Sequence, residues 1–179
     1  VTNVVLTGQV HAGKTTVCSA VADLAQQYGY CARGILTPPI FDQQGNRLGI
    51  EALDLASGER RELARIDRDW GGPHVGPYHF DPAALQWGQD VIARAIAVGC
   101  DLLIVDEIGR LELEQNKGFN HILHLLATSV VPRSLLVVRA TLLDTFRRRW
   151  PELEFVTFEV TEGNRDILPL EIAERLFLV

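Results

Sequence analysis

The chain has 179 residues, 47% of them hydrophobic and 22% charged, with a formal net charge of -6. That length suits one domain with a sizeable core. The acidic balance excludes a broad nucleic-acid-binding face, which needs basic excess, but leaves room for a local cationic pocket.

Val4 to Leu6 reads as a short buried strand, followed at once by a glycine-containing loop. From Thr15 to Tyr28 the residues Val17, Ala20, Val21, Leu24 and Ala25 recur at helical spacing, and Gly29 stops the helix. Cys31 to Leu36 predicts a second strand, broken by Pro38 and Pro39. Ile40 to Leu55, around "DQQGNRLG", predicts a β-hairpin. Arg60 to Gly76 is charged and glycine-rich and is expected to be a mobile loop, with "RIDRDWGGPHVG" its loosest part. Pro82 opens a helix whose stripe includes Leu85, Val91, Ile92, Ala95 and Ile96 and which ends at Gly99. Strands at Leu102–Val105, Leu135–Val138 and Phe155–Val160 then alternate with helices at Phe119–Ala127, Leu142–Trp150 and Leu170–Leu176.

Such alternation predicts an α/β domain with a mostly parallel sheet covered on both faces. The expected organisation is one domain over residues 1–179, with a β-rich insertion at about 38–80. Cys18, Cys31 and Cys100 lie far apart with no metal-ligand spacing, so reduced, buried thiols in a cytoplasmic protein are expected. No apolar run approaches the roughly 18 residues of a membrane span, and no charged leader precedes the first apolar stretch. Neither a membrane segment nor a secretory leader is expected.

The loop after the first strand carries the chemistry. Gly8 to Thr15, "GQVHAGKT", matches G-x-x-x-x-G-K-[ST] between a predicted strand and a predicted helix. Gly8 and Gly13 permit the backbone angles that turn successive N–H groups inward, so Gln9, Val10, His11 and Ala12 would wrap a polyphosphate. The positive end of the new helix adds to that attraction. Lys14 would contact the β- and γ-phosphate oxygens, Thr15 would ligate Mg²⁺, and Thr16 would reach the α-phosphate. The strand "LLIV" ends in two acids, Asp106 and Glu107, whose charge requires a partner. At the carboxyl edge of a parallel sheet Asp106 finds it by holding Mg²⁺, and Glu107 would accept a proton from an attacking water.

The whole pattern resembles the THEP1-type nucleoside-triphosphatases, through "GQVHAGKTT", "RGILT", "VGPYHFD", "LLIVDEIGRLEL" and "VTEGNRDILP". The resemblance implies a three-layer, RecA-like P-loop NTPase fold with an extra strand between the phosphate-loop strand and the Asp106 strand. It also implies Mg²⁺-dependent hydrolysis of several nucleoside triphosphates. Three departures stand out. The family commonly has Pro-Gly where this chain has Val10 and His11, acids where it has Pro38 and Pro39, and a basic residue where it has Pro77.

Further candidates lie on the same expected edge. Arg110 would meet the γ-phosphate, or else pair with Glu112 or Glu114. Arg139 would sense the γ-phosphate, or else pair with Asp106 or Glu107. Asn164 and Arg165 would meet the base, with a turn role as the alternative for Asn164. Arg147, Arg148 and Arg149 read as a solvated face, and Trp70 as a surface or partly packed residue. The expected activity is an Mg²⁺-dependent nucleoside-triphosphatase, monomeric, with no nucleic-acid partner. Two other readings stand beside it: a nucleotide or small-molecule kinase, and a nucleotide-controlled binding module with slow hydrolysis.

Overall fold

Why the chemistry gathers at one edge is clear from the strand order. In a computed structural model, which describes residues 1–127 and 131–177, the strands form one ten-stranded mixed sheet. β1 (Thr2–Gly8) leads through the glycine loop into α1 (Lys14–Gln27), followed by β2 (Ala32–Leu36). Next come β3 (Pro39–Phe41), β4 (Arg47–Asp54), β5 (Arg60–Arg65), β6 (His74–Val75) and β7 (Tyr78–Phe80). α2 (Pro82–Val98) precedes β8 (Leu102–Ile108), the short α3 (Arg110–Leu113) and α4 (Asn120–Ala127). The chain closes with β9 (Arg133–Val138), α5 (Leu143–Arg149), β10 (Val156–Val160) and α6 (Leu168–Phe177).

The sheet runs β10-β1-β9-β8-β2-β4-β5-β7-β6, with β3 on β4. The stretch from β10 to β2 is parallel, and β9 lies between β1 and β8, the extra strand that the resemblance implied. From β2 outward the pairing turns antiparallel. Side chains alternate across the pleat, so each parallel strand feeds two cores. Val5, Leu103, Val105 and Leu136 pack with α2, α4 and α5 on one face. Val4, Leu6, Ile104 and Leu135 pack with α1 and α6 on the other. α2 starts as its sequence predicts: Pro82 occupies the first turn, Asp81 accepts a hydrogen bond from the Ala83 N–H, and Gly99 at φ 90° ends it.

Three expectations need correction. Arg60–Gly76 is not a loose loop, because its first six residues form β5 between β4 and β7. The charges conceal a strand whose Leu63 and Ala64 are buried. Arg60 pairs with Glu51, the Arg61 guanidinium lies 4.7 Å from the Trp87 ring centroid, and Arg65 is held by Glu62 and Asp67. Cys31 is exposed rather than buried, because it sits just before β2, and Cys100 is only half-buried. The acids do not follow the end of their strand. β8 continues to Ile108 and contains both Asp106 and Glu107. Its register against β9 skips between Val105 and Ile108, and the Asp106–Glu107 peptide is cis.

Candidate active site

The phosphate loop is fixed at both ends. Gly8 sits at φ 150°, and a Cβ there would lie 2.7 Å from the Val160 carbonyl oxygen of β10, so only glycine fits that approach. Gly13 adopts φ 100° as the cap of α1, which places Lys14 in the first helical turn. The Lys14 ammonium is buried and donates to the carbonyl oxygens of Gly8 (3.2 Å) and Gln9 (2.7 Å). Burial holds its pKa below the ordinary lysine value, while Glu107 and Asp106 act in the opposite direction.

The loop and the acid strand meet directly. The Thr15 hydroxyl donates to Asp106 Oδ2 at 2.7 Å, and the Thr37 N–H donates to the same oxygen at 3.1 Å. Asp106 is 1% exposed, and burial pushes its carboxyl up to about 6, with the Thr15 bond countering. A hydroxyl and a buried carboxylate are hard oxygen donors of the kind Mg²⁺ takes. Among the described residues no group of three or more His, Cys, Asp or Glu gathers to hold a metal. A site completed by phosphate oxygens and water fits that donor set.

Glu107 turns away from Asp106, and its carboxylate accepts from the Arg139 guanidinium in a close ion pair. A cleft of about 640 Å³ brings together the loop from Gly8 to Val10, Lys14, Thr15, Glu107 and Arg139. Arg110 stays near the surface and pairs with Glu114 at 2.8 Å. Beside it, Glu112 is buried and accepts from the N–H groups of Gly109 (2.8 Å) and Phe119 (3.2 Å), which pins the segment that follows the acids.

Burial pushes the Glu112 carboxyl up from an ordinary 4.5 to about 7, against those backbone donors. The folded state therefore keeps a proton that the unfolded chain releases. Its contribution to stability is complete below about 4.5 and is lost as pH rises toward 7. In urea unfolding, the stability advantage of wild type over Glu112→Gln is expected to shrink across that window. A difference independent of pH would show that Glu112 does not titrate there.

With this geometry in place, the comparisons are specific. A family model described as NTPase matches residues 3–173. A nucleoside-triphosphatase THEP1 of Methanopyrus kandleri is 37% identical over 177 residues, which is 97% of this chain and 94% of that protein. The chain belongs to the THEP1 nucleoside-triphosphatase family. Another member, from Methanosarcina barkeri, is 34% identical, covering 96% of this chain and 95% of its own. The crystal structure of THEP1 from the hyperthermophile Aquifex aeolicus superposes with a TM-score of 0.75 at 21% identity, covering 98% of this chain and 99% of that one. The solution structure of a human cancer-related nucleoside triphosphatase does so at 0.72 and 23%, covering 99% and 98%. Both likenesses show the fold.

The departures of this THEP1-family chain can now be placed. His11 takes φ 67°, the left-handed conformation that the expected glycine would adopt freely, at a cost of about 1–2 kcal/mol. Pro39 lines the phosphate cleft, and Pro77 lines a second cavity next to it. Asn164 is engaged within its own turn, accepting from the Thr161 N–H and donating to the Glu159 carbonyl. Arg165 lies against the loop, its Cδ 3.8 Å from where a Cβ on Gly13 would be. Trp70 lines neither cavity. Arg147 reaches Thr157 and Asp144, and Arg149 donates to the Leu113 carbonyl, so two of the three helix arginines have structural partners.

Sequence reasoning missed Thr37, Arg47 and Phe41, which line the cleft. Thr37 had a signal, since it directly follows β2 in "RGILT" and its N–H meets Asp106. Arg47 and Phe41 belong to a polar hairpin in which nothing marks them.

Proposed function

We propose that the protein is an Mg²⁺-dependent nucleoside-triphosphatase that cleaves several nucleoside triphosphates to diphosphate and phosphate. The observation that carries this is the Thr15–Asp106 hydrogen bond, which joins the phosphate loop to the acid strand beside Lys14 and Glu107. The loop after Gly8, the amino end of α1 and the Lys14 ammonium bind the β- and γ-phosphates. Thr15 and Asp106 would hold Mg²⁺, which when bound offsets phosphate charge. Thr16 meets the α-phosphate.

Glu107 orients the attacking water and takes its proton, and Arg139 holds that carboxylate in place beside the γ-phosphate. Arg110 approaches from the rim. Asn164 shapes the turn that carries Arg165, and Arg165 meets the nucleotide beyond Gly13. A monomer in the cytoplasm belongs to the same proposal. The three free thiols suit a reducing compartment, and no helix among the described residues is long and apolar enough to cross a membrane.

Phosphate release from ATP, GTP, CTP and UTP tests this reading. All four are expected to be hydrolysed with Mg²⁺ and none once EDTA removes it. Silence with every nucleotide, or undiminished release in EDTA, would remove it.

A further inference from the structure

The phosphate cleft holds a guanidinium that the hydrolysis described so far does not use. Arg47 opens β4 and lines the cleft together with Lys14, Thr15 and Glu107. The other arginines beside the acid strand have carboxylates: Arg139 holds Glu107, and Arg110 holds Glu114. Arg47 has none. Among the described residues its guanidinium makes no ion pair and no hydrogen bond, and its Nε is buried without a partner. Acids of the same ribbon are engaged elsewhere. Asp42 accepts from the N–H groups of Gln44 and Asn46, Glu51 holds Arg60, and Glu62 and Asp67 hold Arg65. A cation with a buried, unpartnered N–H is costly, and an anionic ligand removes that cost.

The fold holds Arg47 in place without using its donors. The turn before it is tied by Asp42, and Arg47 pairs with Phe41 across the hairpin. Its guanidinium lies 6.0 Å from the Tyr78 ring centroid, at the limit of a cation–π contact, which consumes no N–H. The lining shows which end of the cleft it serves. Arg47, like Glu107 and Arg139, borders both the phosphate cleft and the second cavity, whereas Lys14, Thr15 and Thr16 border the cleft alone. Arg47 therefore lies on the Glu107 side, where the terminal phosphate meets the attacking water. After burial, the cations that lower the Lys14 pKa are Arg139 and then Arg47, so ammonium and guanidinium repel each other within one cleft. An anion that meets both relieves that repulsion.

We infer that Arg47 grips the terminal phosphate of the bound nucleotide, selects triphosphate over diphosphate, and stabilises the charge on that phosphoryl group during its transfer to water. This rests on the reading of the loop as the triphosphate site and of Glu107 as the base. A diphosphate ends short of Arg47 and leaves it unpaired. A triphosphate brings its charged end group there, and a guanidinium meets phosphate oxygens through two N–H groups at once. In the reaction the water oxygen bonds to the γ-phosphorus and its proton passes to Glu107. The bond from that phosphorus to the β–γ bridging oxygen breaks, and the electron pair stays on the departing diphosphate. The other oxygens of the phosphoryl group carry charge throughout, and a guanidinium fixed beside them stabilises that state.

The test uses the full chain with Mg²⁺. It measures ATP turnover and calorimetric affinities for ADP, for the non-hydrolysable AMP-PNP, and for ADP with aluminium fluoride, which mimics the transferring phosphoryl group. Arg47→Met keeps a long side chain over Tyr78 but lacks the charge, and Arg47→Lys keeps the charge without the fork. In Arg47→Met, ADP affinity is expected to stay within about twofold while AMP-PNP affinity falls about tenfold or more. Turnover and affinity for the aluminium fluoride complex are expected to fall about a hundredfold or more. Arg47→Lys is expected to show the same losses at part of their size. The ratio of AMP-PNP to ADP affinity does not depend on how much of a variant folds. Equal losses for all three ligands would assign Arg47 to holding the hairpin and overturn the inference. So would unchanged discrimination and turnover in Arg47→Met, with the hydrolase reading left standing. A wild type that neither binds nor hydrolyses ATP overturns that reading, and this inference with it.

Discussion

Lys14→Ala is expected to lower nucleoside-triphosphate turnover by about a hundred- to a thousand-fold, the scale of losing one charge-stabilising donor in a closed site. Nucleotide affinity should fall with it, since the same ammonium binds ground-state phosphate. Lys14 donates to the carbonyl oxygens of Gly8 and Gln9, within the proposed phosphate loop. Binding exchanges those neutral acceptors for charged ones, and charge-assisted bonds are roughly twice as strong. Phosphate release and calorimetric titration with a nucleotide would read the two losses, with thermal unfolding as the control for global damage. A variant that turned over within a few-fold of wild type would show that the loop cation is not part of the reaction.

Glu107→Gln should separate the two effects that Lys14→Ala combines. Glutamine keeps the length of the side chain and a hydrogen-bonding oxygen for Arg139, but cannot take a proton at neutral pH. Turnover is expected to fall by about 10²–10⁴-fold, the usual worth of a general base, with nucleotide affinity retained. Equilibrium binding beside single-turnover hydrolysis measures both. The close ion pair to Arg139 makes a further comparison useful. If Arg139 acts by holding Glu107, Arg139→Ala should reduce turnover in the wild type and do little in the Glu107→Gln background. Normal hydrolysis by Glu107→Gln would remove that carboxylate from the mechanism.

What the sequence makes legible follows from what each segment buries. The parallel strands are continuous apolar runs because both of their faces are covered, so "VVL" and "LLIV" announce themselves. The phosphate loop is legible because its glycines and lysine answer to backbone geometry rather than to packing. β5 is hidden because "RRELAR" puts its charges on cross-strand and helix partners and buries only Leu63, Ala64 and the paired Arg65. α3 is hidden because four residues are too few to show a period. In the site, the meeting of Thr15 with Asp106 was predictable from the strand–loop–helix context. The second chamber was not. Its walls come from β4, β5, β7, α2 and the segment after β8, and only the sheet order brings them together.

That sheet order also governs when the phosphate cradle comes into being. The two neighbours of β1 are β9 and β10, more than a hundred residues later in the chain. The antiparallel ribbon from β4 to β7 pairs over short distances and assembles early. A nascent chain that had not yet emerged past Arg133 would therefore carry the glycine bend and its lysine on an orphan strand. The bend is therefore framed on both sides only once β9 and β10 have been added to the sheet.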